Sequence, residues 1–193
     1  MILLRAPFGN AEDGALSFSF IDVGEGEATL VQTPKNRTVL IDTGNVISGY
    51  AVTEYLRHHG ITRLDALIIT HHHPDHMGGA FLIAQMFAIG RIYDNGYDLG
   101  GYHVQDDLYR WYEECIRTHA GYSVLKAGDS FSVDGVTFDV LWPLHDMAFT
   151  GLNECSVVMK LRYKTFSALF TADIPAAVEK TLIAQKAPLD AHL

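Results

Sequence analysis

The chain has 193 residues, of which 48% are hydrophobic and 19% are charged, and its formal net charge is −9. This length suits one domain, and the composition excludes a disordered chain. The negative charge argues against a broad electropositive surface for nucleic acid, although bound divalent cations would reverse the sign locally. The apolar runs are too short to span a membrane, the first residues lack the order of a signal peptide, and two cysteines do not form a disulfide framework. We therefore expect a cytoplasmic protein.

The first half of the chain predicts a β-meander, followed by helices on either side of a buried strand. Apolar and polar residues alternate in three segments that predict strands, at 15–23, 27–33 and 37–42. The helical spacing of apolar residues around Leu56 predicts a helix that Gly60 ends. The apolar run 66–69 predicts the buried strand, and the segment that starts at Ala80 predicts the next helix.

The second half predicts a further strand, a long helix, two hairpins and a final helix. A loop at 94–103 carries Tyr97 and Tyr102, and it either connects elements at the surface or contacts substrate. An amphipathic helix at 105–120 would place Cys115 in the core. The other elements are a strand at 91–93, hairpins of 130–133 with 136–142 and of 156–162 with 165–170, and a helix at 175–184. Two face-to-face sheets with helices outside would account for this order.

Four candidate metal ligands occupy the loop between the buried strand and the helix that starts at Ala80. They are His71, His73, Asp75 and His76. In an extended segment alternate side chains point the same way, so His71 and His73 converge while His72 turns away. The remaining two ligands follow the rigid turn that Pro74 imposes. Imidazole together with carboxylate suits zinc, and also manganese or iron, so the spacing predicts a metal site.

Aspartates at the ends of other predicted strands could complete this site. Asp173 follows an apolar strand and would present a carboxylate at the rim of a sheet, where it could bridge two cations. Alternatively, it caps the helix that begins near Pro175. Asp42 also ends a strand, and we expect it to hydrogen-bond the backbone or a histidine ring of the metal loop. Asp22 either serves the same region or only holds the turn at 24–26.

The string from His71 to His76 resembles the His-x-His-x-Asp-His signature of the metallo-β-lactamase superfamily. The resemblance implies a single α+β domain over 1–193, built as a four-layer αββα sandwich, that hydrolyses its substrate with one or two metal ions. Four further strings resemble the hydrolase domain of the DNA-uptake channel ComEC and its free-standing relatives: Phe20-Ile21-Asp22-Val23-Gly24-Glu25-Gly26-Glu27-Ala28, 38–44, 153–158 and 170–179. This narrower resemblance implies two divalent ions, zinc or manganese, and hydroxide bound between them that attacks phosphorus. The implied substrate is an anionic phosphoester, with nucleic acid among the candidates.

Three features depart from that family's pattern. Many members place a third histidine where Asn153 and Ser156 stand, with His145 nearby, and Glu27 occupies a position usually held by aspartate. The chain also ends before a His-His-Gly-Ser string that would supply the last histidine of the second metal. We therefore expect a truncated domain that lacks its C-terminal strands and helix, binds the second metal more weakly and has weak or no activity. An uncovered sheet edge would favour a homodimer.

The predicted metal ligands are His71 and His73 for one ion, Asp75 and His76 for the other, and Asp173 between them. Asp75, Asn153 and His145 are the candidate catalytic residues, and His145 would protonate the leaving group. Two other functions stay open. With an incomplete ligand set the chain would be an inactive binding module of the same fold, and otherwise it could be a hydrolase of carboxylic esters. Metal content separates the module from an enzyme, and aryl esters tested against phosphodiesters separate the two enzymes.

Overall fold

Two β-sheets pack face to face and carry the candidate site at one edge. The computed structural model describes residues 2–6, 14–100, 107–147 and 151–193. Within these ranges the first sheet has seven strands, which are neighbours in chain order: β1 (Ile2–Ala6), β2 (Leu16–Phe20), β3 (Thr29–Gln32), β4 (Thr38–Ile41), β5 (Arg63–Ile68), β6 (Ala88–Asp94) and β7 (Tyr122–Val124). The second sheet has four strands, also neighbours in chain order: β8 (Ser130–Val133), β9 (Val136–Trp142), β10 (Val158–Tyr163) and β11 (Phe166–Phe170).

The helices are short, and most of them lie in the connections between consecutive strands of the first sheet. They are α1 (Ser48–His58), α2 (Pro74–Met77), α3 (Ala80–Met86), α4 (Asp107–Trp111) and α5 (Ala176–Ala184). A π-helical segment, Tyr112–Arg117, continues α4, and a short 3-10 helix, Asn153–Cys155, precedes β10. In the part of the chain that the structure describes, no helix is both long and apolar enough to cross a membrane.

Strand direction decides which residues meet at the edge of the first sheet. Strands β1 to β4 pair antiparallel through direct connections, whereas β4, β5, β6 and β7 pair parallel because a helical connection separates each from the next. Ile41 therefore lies beside Ile68, and Ile68 lies beside Tyr93, at the carboxyl ends of their strands. In open sheets of this kind ligands bind outside the carboxyl ends of parallel strands.

Three separate hydrophobic cores define four layers. The first lies between the outer face of the seven-stranded sheet and the helices, where Leu56 of α1 and Ile83 of α3 join Leu40 and Leu67 of the sheet. The second fills the space between the sheets and includes Val39, Ile68, Phe138 and Leu161. The third packs Val178 and Leu182 of α5 against Trp142 and Val158 of the four-stranded sheet. The layers are helix, sheet, sheet and helix, so the predicted αββα sandwich is confirmed.

Most predicted elements are present, and the long helix is the main correction. Residues 105 and 106 of that predicted helix lie outside the described residues, as does Tyr102 of the preceding loop. The remainder begins as α4 and then widens into the π-helical segment, whose five-residue hydrogen-bonding step turns the helix face relative to an α-helix. Tyr112 and Ile116 are consequently buried, and Cys115 is exposed instead of lying in the core. The short strands β1 and β7 were not predicted.

Candidate metal centre

The loop that follows β5 brings the predicted ligands to the carboxyl edge of the first sheet. Thr70 joins this loop to the second sheet, because its carbonyl oxygen accepts a hydrogen bond from the N–H of Val157 (2.9 Å). Pro74 opens α2, whose first turn carries Asp75 and His76. The loop then passes very close to its neighbours: a Cβ on Gly79 would lie 2.4 Å from the carbonyl oxygen of Thr43, so only glycine fits there.

Three of the five predicted ligands, His71, His76 and Asp173, converge, and His73 and Asp75 lie beside them. His71 Nε2 lies 3.1 Å from His73 Nδ1, and His76 Nε2 lies 4.0 Å from Asp75 Oδ2. Oδ2 of Asp173, three residues beyond β11, is 4.0 Å from His71 Nε2 and 3.5 Å from His76 Nε2. His71, His76 and Asp173 offer ligand atoms that all lie within 4.8 Å of one another. The two sheets therefore contribute jointly to one cluster of nitrogen and oxygen donors.

The two central histidines have opposite electrostatic surroundings. Burial and the neighbouring imidazoles of His76 and His73 lower the pKa of His71 to about 2, so this ring is neutral and its lone pair is available. Burial also lowers the pKa of His76, but the hydrogen bond to Asp42 and the charges of Asp42 and Asp173 outweigh it and raise that pKa to about 9. A cation bound at His76 would replace this proton, and the donor set fits a divalent ion that prefers nitrogen and oxygen.

Asp42 holds two parts of the metal loop at once. Its Oδ1 accepts a hydrogen bond from the N–H of Thr70 (2.8 Å), and its Oδ2 accepts one from the hydroxyl of Thr70 (2.7 Å). Oδ2 also lies 2.8 Å from Nδ1 of His76. An ionised carboxylate can only accept, so Nδ1 carries the hydrogen and Nε2 is left to face Asp173. The hydrogen bonds expected of Asp42 from the sequence are thus present.

Glu27 also lies in this cluster, although the sequence predicted no role for it. Glu27, Asp42 and His76 form a second group whose ligand atoms lie within 4.8 Å of one another. Burial and the charge of Asp42 raise the pKa of Glu27 to about 7. Glu27 follows the turn at 24–26, which packs closely on the metal loop, since a Cβ on Gly26 would lie 2.0 Å from the carbonyl oxygen of Asp75. Asp22, by contrast, is exposed and accepts a hydrogen bond from Gly24 N–H (3.2 Å), which is a turn-holding contact.

His72 points away from the other histidines, as predicted, but into the protein rather than into solvent. It is fully buried, and its Nε2 lies 3.0 Å from Oδ2 of Asp94. Asp94 also accepts hydrogen bonds from Arg117 Nε (3.0 Å) and from the hydroxyls of Tyr112 (3.2 Å) and Tyr122 (2.7 Å). Burial alone would raise the pKa of Asp94, but the contacts with His72 and Arg117 hold it well below its usual range.

The segment 153–156 lies beside the start of the metal loop. The side-chain amide of Asn95 donates to the carbonyl oxygen of Cys155 (2.8 Å) and reaches that of Thr70 (3.4 Å). Oδ1 of Asn153 and Oγ of Ser156 are buried without a hydrogen-bond partner among the described residues. Such atoms in a folded protein usually have a ligand or ordered water. His145 is exposed and belongs to neither group of candidate ligands.

A family profile and two competence-related proteins match this chain. A profile of the metallo-β-lactamase superfamily matches residues 21–174. Competence protein ComA of Neisseria gonorrhoeae is 29% identical over 163 residues, which are 84% of this chain and 20% of that protein. ComE operon protein 3 of Bacillus subtilis is 34% identical over 89 residues, which are 37% of this chain and 12% of that protein. The chain thus spans only a small part of the length of either relative.

Solved structures with the same fold are distant in sequence. MEM-A1, a subclass B3 metallo-β-lactamase from a soil metagenome library, is 18% identical, with a TM-score of 0.57 over 95% of this chain and 76% of its own. FEZ-1 of Legionella gormanii is 19% identical, with a TM-score of 0.54 over 87% and 64%. These likenesses show the fold alone, whereas the two competence-related proteins support the ComEC-like group. The chain belongs to the metallo-β-lactamase superfamily.

Proposed function

We propose that this chain is a metal-dependent phosphodiesterase that acts on an anionic phosphoester such as a nucleic acid strand. The position of the Asp173 carboxylate, between Nε2 of His71 and Nε2 of His76, is the observation that carries the proposal. A carboxylate between two imidazoles can hold two cations at once. Membership of the superfamily supports a metal-dependent hydrolase, and the resemblance to ComEC-type domains favours phosphorus as the site of attack.

Five side chains would divide the binding of two divalent ions between them. His71 and His73 would hold one ion, Asp75 and His76 the other, and Asp173 both. When bound, zinc or manganese ions supply two effects, because they lower the pKa of water and neutralise charge on the phosphoryl oxygens. The neutral ring of His71 needs no deprotonation, whereas the ring of His76 must lose the proton that Asp42 and Asp173 stabilise.

Residues around the ligands would position substrate and water. The side chain of Asp75 is 41% exposed, so its carboxylate can accept a hydrogen bond from a water molecule that approaches from solvent. Two buried polar atoms lack a partner among the described residues. Oγ of Ser156 can donate a hydrogen bond to a phosphoryl oxygen, and Oδ1 of Asn153 can accept one from an ordered water. Asp42 keeps His76 in the tautomer whose Nε2 faces the centre.

Hydrolysis of bis(p-nitrophenyl) phosphate, compared with p-nitrophenyl acetate, tests the proposal. With added zinc or manganese, the phosphodiester should be cleaved and Asp173→Asn should abolish most of the activity, because one carboxylate serves both ions. Asp107→Asn is the matched control, since Asp107 is exposed on α4 and pairs with Arg110 at the surface. Cleavage of the acetate alone would support the carboxylic ester hydrolase instead. Bound metal without hydrolysis of either substrate would support the binding module.

A further inference from the structure

A cavity opens beside the segment 153–156. It has a volume of about 300 Å³ and is lined by Asn95, Gly96, Tyr97, Asp98, Lys126, His145, Met147 and Cys155. Its lining residues come from the loop after β6, from the loop before β8 and from the loops around the short 3-10 helix. None of them belongs to the two groups of candidate metal ligands.

The floor of this cavity is joined to the metal loop by short contacts. Asn95 is fully buried, and its amide donates to the carbonyl oxygen of Cys155 (2.8 Å) and reaches that of Thr70 (3.4 Å). The hydroxyl of Thr70 in turn lies 3.1 Å from Nδ1 of His71. Asn95 and Thr70 therefore link the floor of the cavity to His71 of the candidate metal centre.

Lys126 gives the cavity a positive charge that forms no direct ion pair among the described residues. Its ammonium group donates to the carbonyl oxygen of Asn95 (2.7 Å), and no carboxylate of the described residues lies within 4.0 Å of it. The other buried or half-buried cations that the structure describes behave differently, because Arg117 binds Asp94 and Lys160 binds Asp190. Burial lowers the pKa of Lys126, and the more distant charge of Asp94 offsets only part of this effect. A half-buried cation that faces a cavity in this way is suited to an anionic ligand.

His145 and Asp98 are the other ionisable side chains that line the cavity. His145 adds an imidazole to the wall, which can donate a hydrogen bond to an anion. Asp98 adds a carboxylate, but its Oδ1 accepts the N–H of its own loop residue Gly100 (2.9 Å) and it forms no ion pair with Lys126. The cation and the imidazole therefore remain available, and both suit a phosphate oxygen.

We propose that this cavity binds a phosphate group through Lys126 and His145. The inference rests on the proposed function, since the group would be the neighbouring phosphate of a nucleotide strand whose scissile phosphodiester lies at the metal centre. It gives His145 a binding part in place of the leaving-group role inferred from sequence. A free phosphate ion has the same chemistry, and kinetics on two substrates separate it from the phosphate of a strand.

Titration of the ¹⁵N-labelled chain with inorganic phosphate, followed by NMR, tests the cavity without any need for activity. Phosphate should shift the amide signals of Gly96 and Lys126, and Lys126→Met should weaken binding about tenfold, as expected for loss of one charged hydrogen bond. Lys126→Arg should restore binding because it keeps the charge. Lys180→Met is the control, since Lys180 is exposed on α5. Equal phosphate binding by the parent and by Lys126→Met, or no shift at Gly96 and Lys126, would overturn the proposal.

Kinetics on two substrates then decide whether the phosphate belongs to a strand. In Lys126→Met, the KM for a single-stranded thymidine oligonucleotide, divided by that for bis(p-nitrophenyl) phosphate, should rise about tenfold. An unchanged ratio in a variant that has lost phosphate binding would overturn the assignment to a strand and leave a site for free phosphate. A parent chain that cleaves neither phosphodiester would refute the proposed function, while the phosphate titration would still decide the cavity.

Discussion

Nε2 of His72 lies 3.0 Å from Oδ2 of Asp94, on the side of the metal loop opposite to His71 and His73. This contact ties the residue between two candidate ligands to the carboxyl end of β6. Arg117 of the π-helical segment binds the same carboxylate oxygen (3.0 Å) and also donates to the carbonyl oxygen of Tyr97 (2.6 Å). A buried charged cluster therefore anchors the metal loop through His72, which limits how far the loop can shift.

Asp94→Asn should strongly destabilise the fold. The substitution leaves the buried guanidinium of Arg117 without its main counter-ion, and breaking a buried pair from one side costs about 3–5 kcal/mol in the free energy of unfolding. Urea denaturation of the metal-free chain measures it. Asp107→Asn is the control, because Asp107 pairs with Arg110 at the surface and should cost less than about 1 kcal/mol. Similar losses of unfolding free energy in both variants would show that the buried cluster stabilises the fold no more than a surface ion pair does.

Asp42→Asn should weaken zinc binding without removing a metal ligand. Asp42 fixes the tautomer and orientation of His76, and loss of such a partner costs about 10–100-fold in metal affinity. Competition with a chromophoric chelator gives the dissociation constants. Asp22→Asn, on the exposed turn, should leave them at the parental values. Parental zinc affinity in Asp42→Asn would contradict the orienting role.

The metal-free chain should lose stability as the pH rises from 6.5 to 9. The pKa of His76 is raised from 6.5 to about 9 in the folded protein, so the folded state keeps a proton that the unfolded state has released. Its stabilising contribution is full below pH 6.5 and is lost as the pH passes 9. Urea denaturation across this range should show the decline, and Asp42→Asn should flatten it, since Asp42 makes the largest contribution that raises this pKa. A parallel decline in that variant would assign the effect to other groups.

One cysteine should react in the folded protein and the other should not. Cys115 is exposed on the π-helical segment, whereas Cys155 is buried and its pKa is raised to about 12, chiefly by burial. A thiol reagent at about pH 8 should therefore label Cys115 rapidly and Cys155 only after unfolding, because the thiolate is the reactive form. Cys115→Ser should remove the fast reaction and Cys155→Ser should keep it. The reverse pattern would restore Cys115 to the core.

The ligands on the metal loop could be predicted from the sequence because they lie close together in the chain. Four candidate ligands fall within six residues, so strand geometry and one proline suffice to bring His71 and His73 together. Asp42 and Asp173 could be predicted because each follows an apolar strand. Their convergence required the sheets to pack in the αββα order, which the resemblance to a known family implied.

The partners behind the loop could not be predicted, because they depend on how distant elements pack. His72 meets Asp94 and Arg117 only because β5 and β6 run parallel and the π-helical segment crosses beside them. No local pattern distinguishes that segment from an α-helix, and so Cys115 was placed on the wrong face. Lys126 likewise gains its position from the contact with Asn95, a residue 31 positions away in the chain.

Metal content, measured by mass spectrometry of the purified chain after equilibration with zinc, tests the central claim most directly. The parent should hold two ions, and His71→Ala and Asp173→Ala should each hold fewer, because each removes a donor from the cluster. His72→Ala, with folding checked by circular dichroism, should retain the parental content, since its ring faces Asp94. A parent without bound zinc, or an equal loss in all three variants, would contradict the account.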